Sequence, residues 1–171
     1  MSRNVIRVAH LADLHFRPMT RHEEYREIFK AFCQDVQQQN VDYIFIAGDI
    51  WHTKTQGILP ESIDFMTEIL RMLSKVAPVH MMLGNHDMNC VNLTRQDAIS
   101  PIVKAINDPR VVLYKQSGMY EFHPGIAWCV YSLYDEEKWP EVKPLEGKYN
   151  IACVHGSVRG ALLGGGGGGG G

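Results

Sequence analysis

The chain has 171 residues and a net charge of −2, with 17 Lys and Arg against 19 Asp and Glu. That balance provides no basic surplus of the kind that drives charge-led nucleic-acid binding, so a phosphate-bearing partner would have to find positive charge elsewhere, in metal ions for example. Hydrophobic content of 45% and charged content of 21% are ordinary for a soluble globular protein, and no apolar run approaches the ~18 residues of a membrane span.

The first element is the apolar run "NVIRVAHLAD" (4–13). Arg7, His10 and Asp13 interrupt it, which excludes a secretory pattern and leaves a buried strand. "TRHEEYREIFKAFCQDVQQQN" (20–40) reads as a helix. Thr20 with Glu23 forms a capping-box pattern, and Tyr25, Ile28, Phe29, Phe32, Cys33 and Val36 repeat at helical spacing. "VDYIFIAGD" (41–49) is a second strand, and Pro60 opens the helix 60–75, whose stripe Ile63, Met66, Ile69, Leu70 and Leu73 is core. Pro78 precedes the third strand, "VHMMLG" (79–84), and a further helix is expected near 97–106. Strands alternating with helices predict a parallel sheet with right-handed crossovers.

From "VVLY" (111–114) the pattern changes. "GMYEFHPGIAWCVYSLY" (118–134) reads as an antiparallel hairpin about the "HPG" turn, and 135–148 as a polar, Pro-broken excursion. "YNIACVHG" (149–156) is one more buried strand. Gly164 to Gly171 form an unbroken glycine run that cannot bury apolar surface; it reads as a linker, tag or placeholder, leaving 1–163 as one domain. The four cysteines, Cys33, Cys90, Cys129 and Cys153, contain no CxxC pair. Cys33, Cys129 and Cys153 fall in apolar patterns and read as core residues in a reducing, cytoplasmic compartment.

The polar residues collect just past the strands. Asp13 and His15 follow the first, Asp49 and His52 the second, Asn85, His86 and Asp87 the third, and His155 the last. Parallel strands deliver their C-terminal ends to one edge of an open sheet, where ligands bind. Four clusters far apart in sequence therefore converge. Asp13, His15, Asp49, Asn85, His86 and His155 form an oxygen and imidazole donor set that suits Mn²⁺, Fe²⁺ or Zn²⁺ without any thiolate. Each cluster alone has a plain reading as a turn or a cap. Jointly, at successive strand ends, they point to a metal site.

Other histidines have simpler uses. His10 and His80 lie within strands and read as core or edge residues; His22 reads as a solvated helix residue, and His123 precedes a turn. Phe16 and Trp51 could stack on a base, with packing beside the site the simpler use, and Arg17 and Arg21 could contact phosphates or sit in a solvated helix entrance.

D-x-H, then G-D-x-x-H, then G-N-H-D, then a strand ending in H-G, resembles the calcineurin-like metallophosphoesterase superfamily. Within it the chain is similar to the SbcD-type nucleases of double-strand-break repair, through His52 in "GDIWH" and the order of elements over about residues 5–156. The resemblance implies a two-layered β-sandwich core flanked by helices (α/β/β/α), here truncated before its last strands. It implies two divalent ions, Mn²⁺ foremost. Asp13 and His15 would bind one, Asp49 would bridge both, and Asn85 and His155 would hold the second. His86 would stabilise or protonate the departing 3′ oxygen, with His52 tuning it or steering the nucleic acid, and Asp87 would support the ligands or cap a helix. The implied activity is exo- and endonucleolytic cleavage of DNA together with an SbcC-type SMC-like ATPase, in a homodimer. A phosphatase or small-nucleotide phosphodiesterase, or a dimerising scaffold without chemistry, are the alternatives. The sequence departs from the family in having no G-H-x-H, whose two histidines complete the two metal shells in relatives.

Overall fold

The computed structural model describes residues 5–18, 20–52 and 58–156. Among them the order is β1 (Val8–Leu11), α1 (His22–Gln38), β2 (Tyr43–Ala47), α2 (Pro60–Val76), β3 (Val79–Met82), α3 (Ser100–Ile106) and β4 (Val111–Tyr114). Then follow β5 (Gly118–His123), β6 (Ile126–Tyr131), a 3₁₀ helix (Glu136–Glu141) and β7 (Tyr149–Val154). β1 to β4 form a fully parallel sheet in sequential order, as the alternation of elements predicts. In the second sheet, β5 and β6 form the expected antiparallel hairpin and β7 runs parallel to β6.

Side chains alternate across a strand with period two, and this divides the core. Ile44, Ile46, Val79 and Met81 face the helices, where they meet Phe65, Met66, Ile69, Leu70 and Leu73 of α2 and Phe29, Cys33 and Val36 of α1. Phe45, Ala47, Met82 and Tyr114 face the other way, against Trp128, Val130 and Cys153 of the second sheet. A strand buried on both faces has no polar side to alternate with, so β2 and β3 read as continuous apolar runs. All three α-helices pack on the first sheet. The described residues thus build the α/β/β part of the expected sandwich, and a fourth, helical layer is not among them.

A polar cluster lies between the sheets. His80 of β3 is 6% exposed, and its Nδ1 accepts from the Tyr114 hydroxyl at 2.9 Å and from Trp128 Nε1–H at 3.0 Å. Indole can only donate, so Nδ1 is bare and the proton sits on Nε2. His80 is therefore the satisfied core histidine that its position suggests.

Several local expectations are corrected. The Thr20–Glu23 capping box does not form: α1 starts at His22 behind Arg21, which is left-handed at φ 63° and gives no side-chain cap. Glu23 pairs instead with Arg26 and Glu24 with Arg21, so neither turns back to the helix start. Ile28 and Ile63 are 58% and 42% exposed, so both apolar stripes are narrower than their spacing suggests. The third helix begins at Ser100 rather than 97, because Asp97 Oδ1 accepts the N–H groups of Ile99 and Ser100 and caps the turn before it. His22 is not simply solvated: its ring stacks on Phe65 at 4.2 Å, and its Nε2–H donates to the Arg17 carbonyl. Cys33, Cys129 and Cys153 are buried free thiols, as expected, and Cys90 is exposed.

Candidate metal centre

Beyond their last ladder residues, β1 and β2 stay zipped together. Asp13 N–H donates to Gly48 O, His15 N–H to Asp49 O, Phe16 N–H to Ile50 O and His52 N–H to Phe16 O, at 2.8 to 3.1 Å. This places "DLH" alongside "GDIWH". Phe16 and Trp51 are 0% and 1% exposed and pair across this ladder; both pack beneath the site and neither is open to a base. Asp13, His15 and Asp49 have φ of 53°, 46° and 50°. Such left-handed geometry costs on the order of 1–3 kcal/mol per non-glycine residue and survives only where surrounding bonds enforce it.

Two glycines permit the close approach. A Cβ on Gly48, itself at φ 84°, would lie 2.7 Å from Gly84 N and 2.9 Å from His155 Nδ1. A Cβ on Gly84 would overlap the amide nitrogen and Oδ1 of Asp49. Asp87 then ties the β2 and β3 ends together. It is fully buried, with Oδ1 accepting from Ile50 and Trp51 N–H at 3.0 Å and Oδ2 from Gly84 N–H at 2.9 Å. Burial pushes its carboxyl up to about 6, against the pull of these three N–H groups, with the nearby Asp49 carboxylate adding a smaller push.

Asp49 is the centre of the constellation. Its side chain is 6% exposed, and Oδ1 accepts the His86 backbone N–H at 3.0 Å. Three imidazole nitrogens surround it: His155 Nε2 at 3.3 Å from Oδ1, and His15 Nε2 and His86 Nε2 at 3.7 and 3.9 Å from Oδ2. Asp13 Oδ1 lies 3.7 Å from His15 Nε2. Atoms sharing one cation at ~2.1 Å stand about 3 to 4.2 Å apart, which is the spacing seen here. Two groups result, His15–Asp49–His86 and Asp13–Asp49–His155, and Asp49 belongs to both.

The residues fit a pair of cations on further grounds. A buried carboxylate is costly unless a positive charge joins it. His155 Nδ1 lies 2.8 Å from the Ala47 carbonyl and His86 Nδ1 2.7 Å from the His52 carbonyl. A carbonyl only accepts, so both Nδ1 atoms carry protons and Nε2 is the atom each ring turns toward Asp49, the usual orientation of metal-binding histidine. His15 Nδ1 is buried without a hydrogen-bond partner, so no protein group at that atom fixes its tautomer.

All the site residues expected from the sequence stand at this edge. Asp13 stands with Asp49 and His155 in one group and His15 with Asp49 and His86 in the other, and Asp13 Oδ1 also lies 3.7 Å from His15 Nε2, so the two groups touch. Asn85 is exposed between β3 and His86. The His52 ring stands 5.7 Å from that of His15, while its carbonyl holds His86. The two carbonyls that orient His86 and His155 had no sequence signal, because every residue has one. His10 is exposed and lines a hollow of about 280 Å³ with Asp13 and His155, a position that its place within a strand did not reveal.

The ends of the parallel sheet and of β7 thus bring together paired carboxylate–imidazole groups able to hold metal ions, as a metal-dependent phosphoester hydrolase requires. Residues 6–166 match the calcineurin-like phosphoesterase family, and the chain belongs to it. The chain is 34% identical over 168 residues to an uncharacterized protein of Acanthamoeba polyphaga mimivirus, covering 90% of this chain and 12% of that protein. It is 32% identical over 88 residues to the DNA double-strand break repair protein Mre11 of Archaeoglobus fulgidus, covering 48% of this chain and 19% of that one. The chain therefore spans less than a fifth of either relative. No helix among the described residues is long and apolar enough to cross a membrane.

Proposed function

We propose that the protein is a two-metal DNA phosphodiesterase, an exo- and endonuclease of double-strand-break processing. The observation that carries the chemistry is Asp49, one buried carboxylate shared by two donor groups. A carboxylate can hold two cations ~3.5–4 Å apart, the spacing of two-metal hydrolases. Asp13, His15, Asp49, Asn85 and His155 are the residues that would hold the ions, with Mn²⁺ taken as foremost among the Mn²⁺, Fe²⁺ and Zn²⁺ that suit this oxygen and nitrogen set. Bound there, the cations supply Lewis acidity and neutralise charge at the phosphoryl group. They also answer the composition: a chain of net charge −2 needs positive charge from elsewhere to approach a polyanion.

His86 stands beside Asp49 with a usable Nε2 and serves the departing 3′ oxygen, while the exposed His52 flanks the path of the nucleic acid. Support for DNA as substrate comes from the similarity to the archaeal repair protein and from His52 in "GDIWH". In this reading the protein is cytoplasmic and works with an SbcC-type SMC-like ATPase. It forms a homodimer through the α2–α3 face, where exposed Leu59 and Ile63 flank a hollow of about 420 Å³.

The test is to incubate the protein with Mn²⁺ and, in parallel, linear duplex DNA, single-stranded DNA, bis-p-nitrophenyl phosphate and p-nitrophenyl phosphate. Cleavage of DNA and of the diester, lost in Asp49→Asn, is the expected result. Hydrolysis of the monoester alone would make the protein a phosphatase. Dimer formation without hydrolysis of any substrate would make it a scaffold.

A further inference from the structure

We infer that Tyr25 is a positioning residue of the metal centre, its hydroxyl holding the His15 main chain so that the ring stays turned toward Asp49. The role presupposes the metal-centre reading given above and adds to it a group that touches no ion. The Tyr25 hydroxyl donates to the His15 carbonyl at 3.2 Å. His15 N–H donates to the Asp49 carbonyl at 3.0 Å. Both main-chain polar groups of His15 are therefore tied, one to the end of β2 and one to α1.

His15 needs such a holder more than its neighbours do. His86 and His155 are fixed through their rings, with each Nδ1–H bonded to a carbonyl. His15 Nδ1 is buried and has no hydrogen-bond partner among the described residues. No bond to that atom sets where Nε2 points, so the backbone must do it. The backbone is also strained there: His15 is left-handed at φ 46°, a conformation that a non-glycine residue keeps only where surrounding bonds enforce it.

The Tyr25 hydroxyl is fixed well enough to enforce it. Tyr25 belongs to the apolar stripe of α1, and its ring meets Phe16 edge-on at 4.9 Å and tilts against Phe65 at 6.0 Å. Phenylalanine would fill the same space, as it does at Phe16, Phe29 and Phe65 around it. The hydroxyl is what packing leaves over, and it is used on the carbonyl of a site histidine ten residues earlier. One turn back on the same helix face, His22 Nε2–H donates to the Arg17 carbonyl at 3.0 Å. The first turn of α1 thus grips two carbonyls of the loop that follows β1. Because His22 also stacks on Phe65 at 4.2 Å, the packing of α1 on α2 sets where this grip lies.

The test is Mn²⁺ titration calorimetry on the whole chain and on Tyr25→Phe, which keeps the ring and deletes the hydroxyl. One of the two sites is expected to weaken by about 10-fold, the lower end of what groups supporting metal ligands contribute. It should be the site that His15→Gln also weakens, and the other should fill as in the wild type. Tyr120→Phe is the control: it removes a like bond, from the Tyr120 hydroxyl to the Gln116 carbonyl at 3.0 Å, and should leave both sites intact. In parallel, ¹⁵N spectra at histidine are recorded with Zn²⁺, a diamagnetic probe. His15 Nε2 is expected in the metal-bound range in the wild type and back toward the free range in Tyr25→Phe, with His155 unmoved. A hydroxyl that serves stability alone would lower the urea midpoint of the metal-free chain and change neither affinity nor the His15 resonance. That result, or equal weakening of both sites, overturns the inference while leaving the metal centre standing. Failure of the unaltered chain to take up either ion overturns both.

Discussion

His80 offers the sharpest test of how the two sheets are joined. Its Nδ1 faces two donors, the Tyr114 hydroxyl and the Trp128 indole, and its ring is packed against Tyr43 and Phe122. A second proton on the ring would have to enter at Nδ1, where it would meet the Trp128 N–H, which cannot accept, and would force the Tyr114 hydroxyl to turn its own proton away. Burial accordingly lowers the His80 pKa from 6.5 to about 4. The unfolded chain takes up this proton near pH 6.5 and the folded chain only near 4. Stability from this residue is therefore full above about 6.5 and falls as the pH drops toward 4. The gap of roughly two and a half pH units corresponds to about 3 kcal/mol, at ~1.36 kcal/mol per unit. That is a large part of the ~5–15 kcal/mol that holds a domain folded. The assay is urea unfolding at a series of pH values from 7.5 to 4 for the wild type and for His80→Phe. The variant leaves the Tyr114 hydroxyl and Trp128 N–H without their acceptor and is expected to be weaker by about 2–4 kcal/mol at pH 7.5. The difference between the two proteins should shrink as the pH falls. A difference constant across that range would refute the tautomer and network assigned to His80.

Three further outcomes are expected. Asp87→Ala strands three buried N–H groups, those of Ile50, Trp51 and Gly84, and should cost about 3 kcal/mol or more. Asp87→Asn keeps an oxygen for two of them but turns an NH₂ toward Gly84 N–H, so guanidinium unfolding should place it between Ala and wild type. Removal of cations bears on the centre itself. With Mn²⁺ at 100 times its dissociation constant, binding to the folded state alone adds about 2.7 kcal/mol. A chelator should therefore lower the melting temperature of the wild type but not of Asp49→Asn, as read by differential scanning calorimetry.

Much of the fold was legible along the chain because its signals are local. The boundaries of β4 coincide with "VVLY", the turn at "HPG" lies where a glycine must take φ 81°, and Pro60 opens α2. The places where local reading failed are those where a distant group won. Glu23, three residues after Thr20, was claimed by Arg26 rather than by the helix start. His22 was drawn onto Phe65 by a helix 38 residues further on. The placement of Asp13, Asp49 and Asn85 at one edge could be foreseen, since β1, β2 and β3 are parallel strands of one sheet. His155 follows β7 of the second sheet, and only the packing of the two sheets brings it to that edge. Which of them stand together could not be foreseen.

By itself the sequence determined the donor chemistry, the parallel sheet and the edge on which the donors gather, because residue type and hydrophobic period are properties of short stretches. Only the tertiary structure decided the rest: the carbonyls of Ala47 and His52 as the holders of His155 and His86, the arrival of His155 from the second sheet, and the closeness of His86 to His15. Those depend on backbone groups identical at every residue and on side-chain separations near 4 Å. Such distances arise only when four strand ends are pressed against one another, at a closeness that Gly48 and Gly84 alone permit.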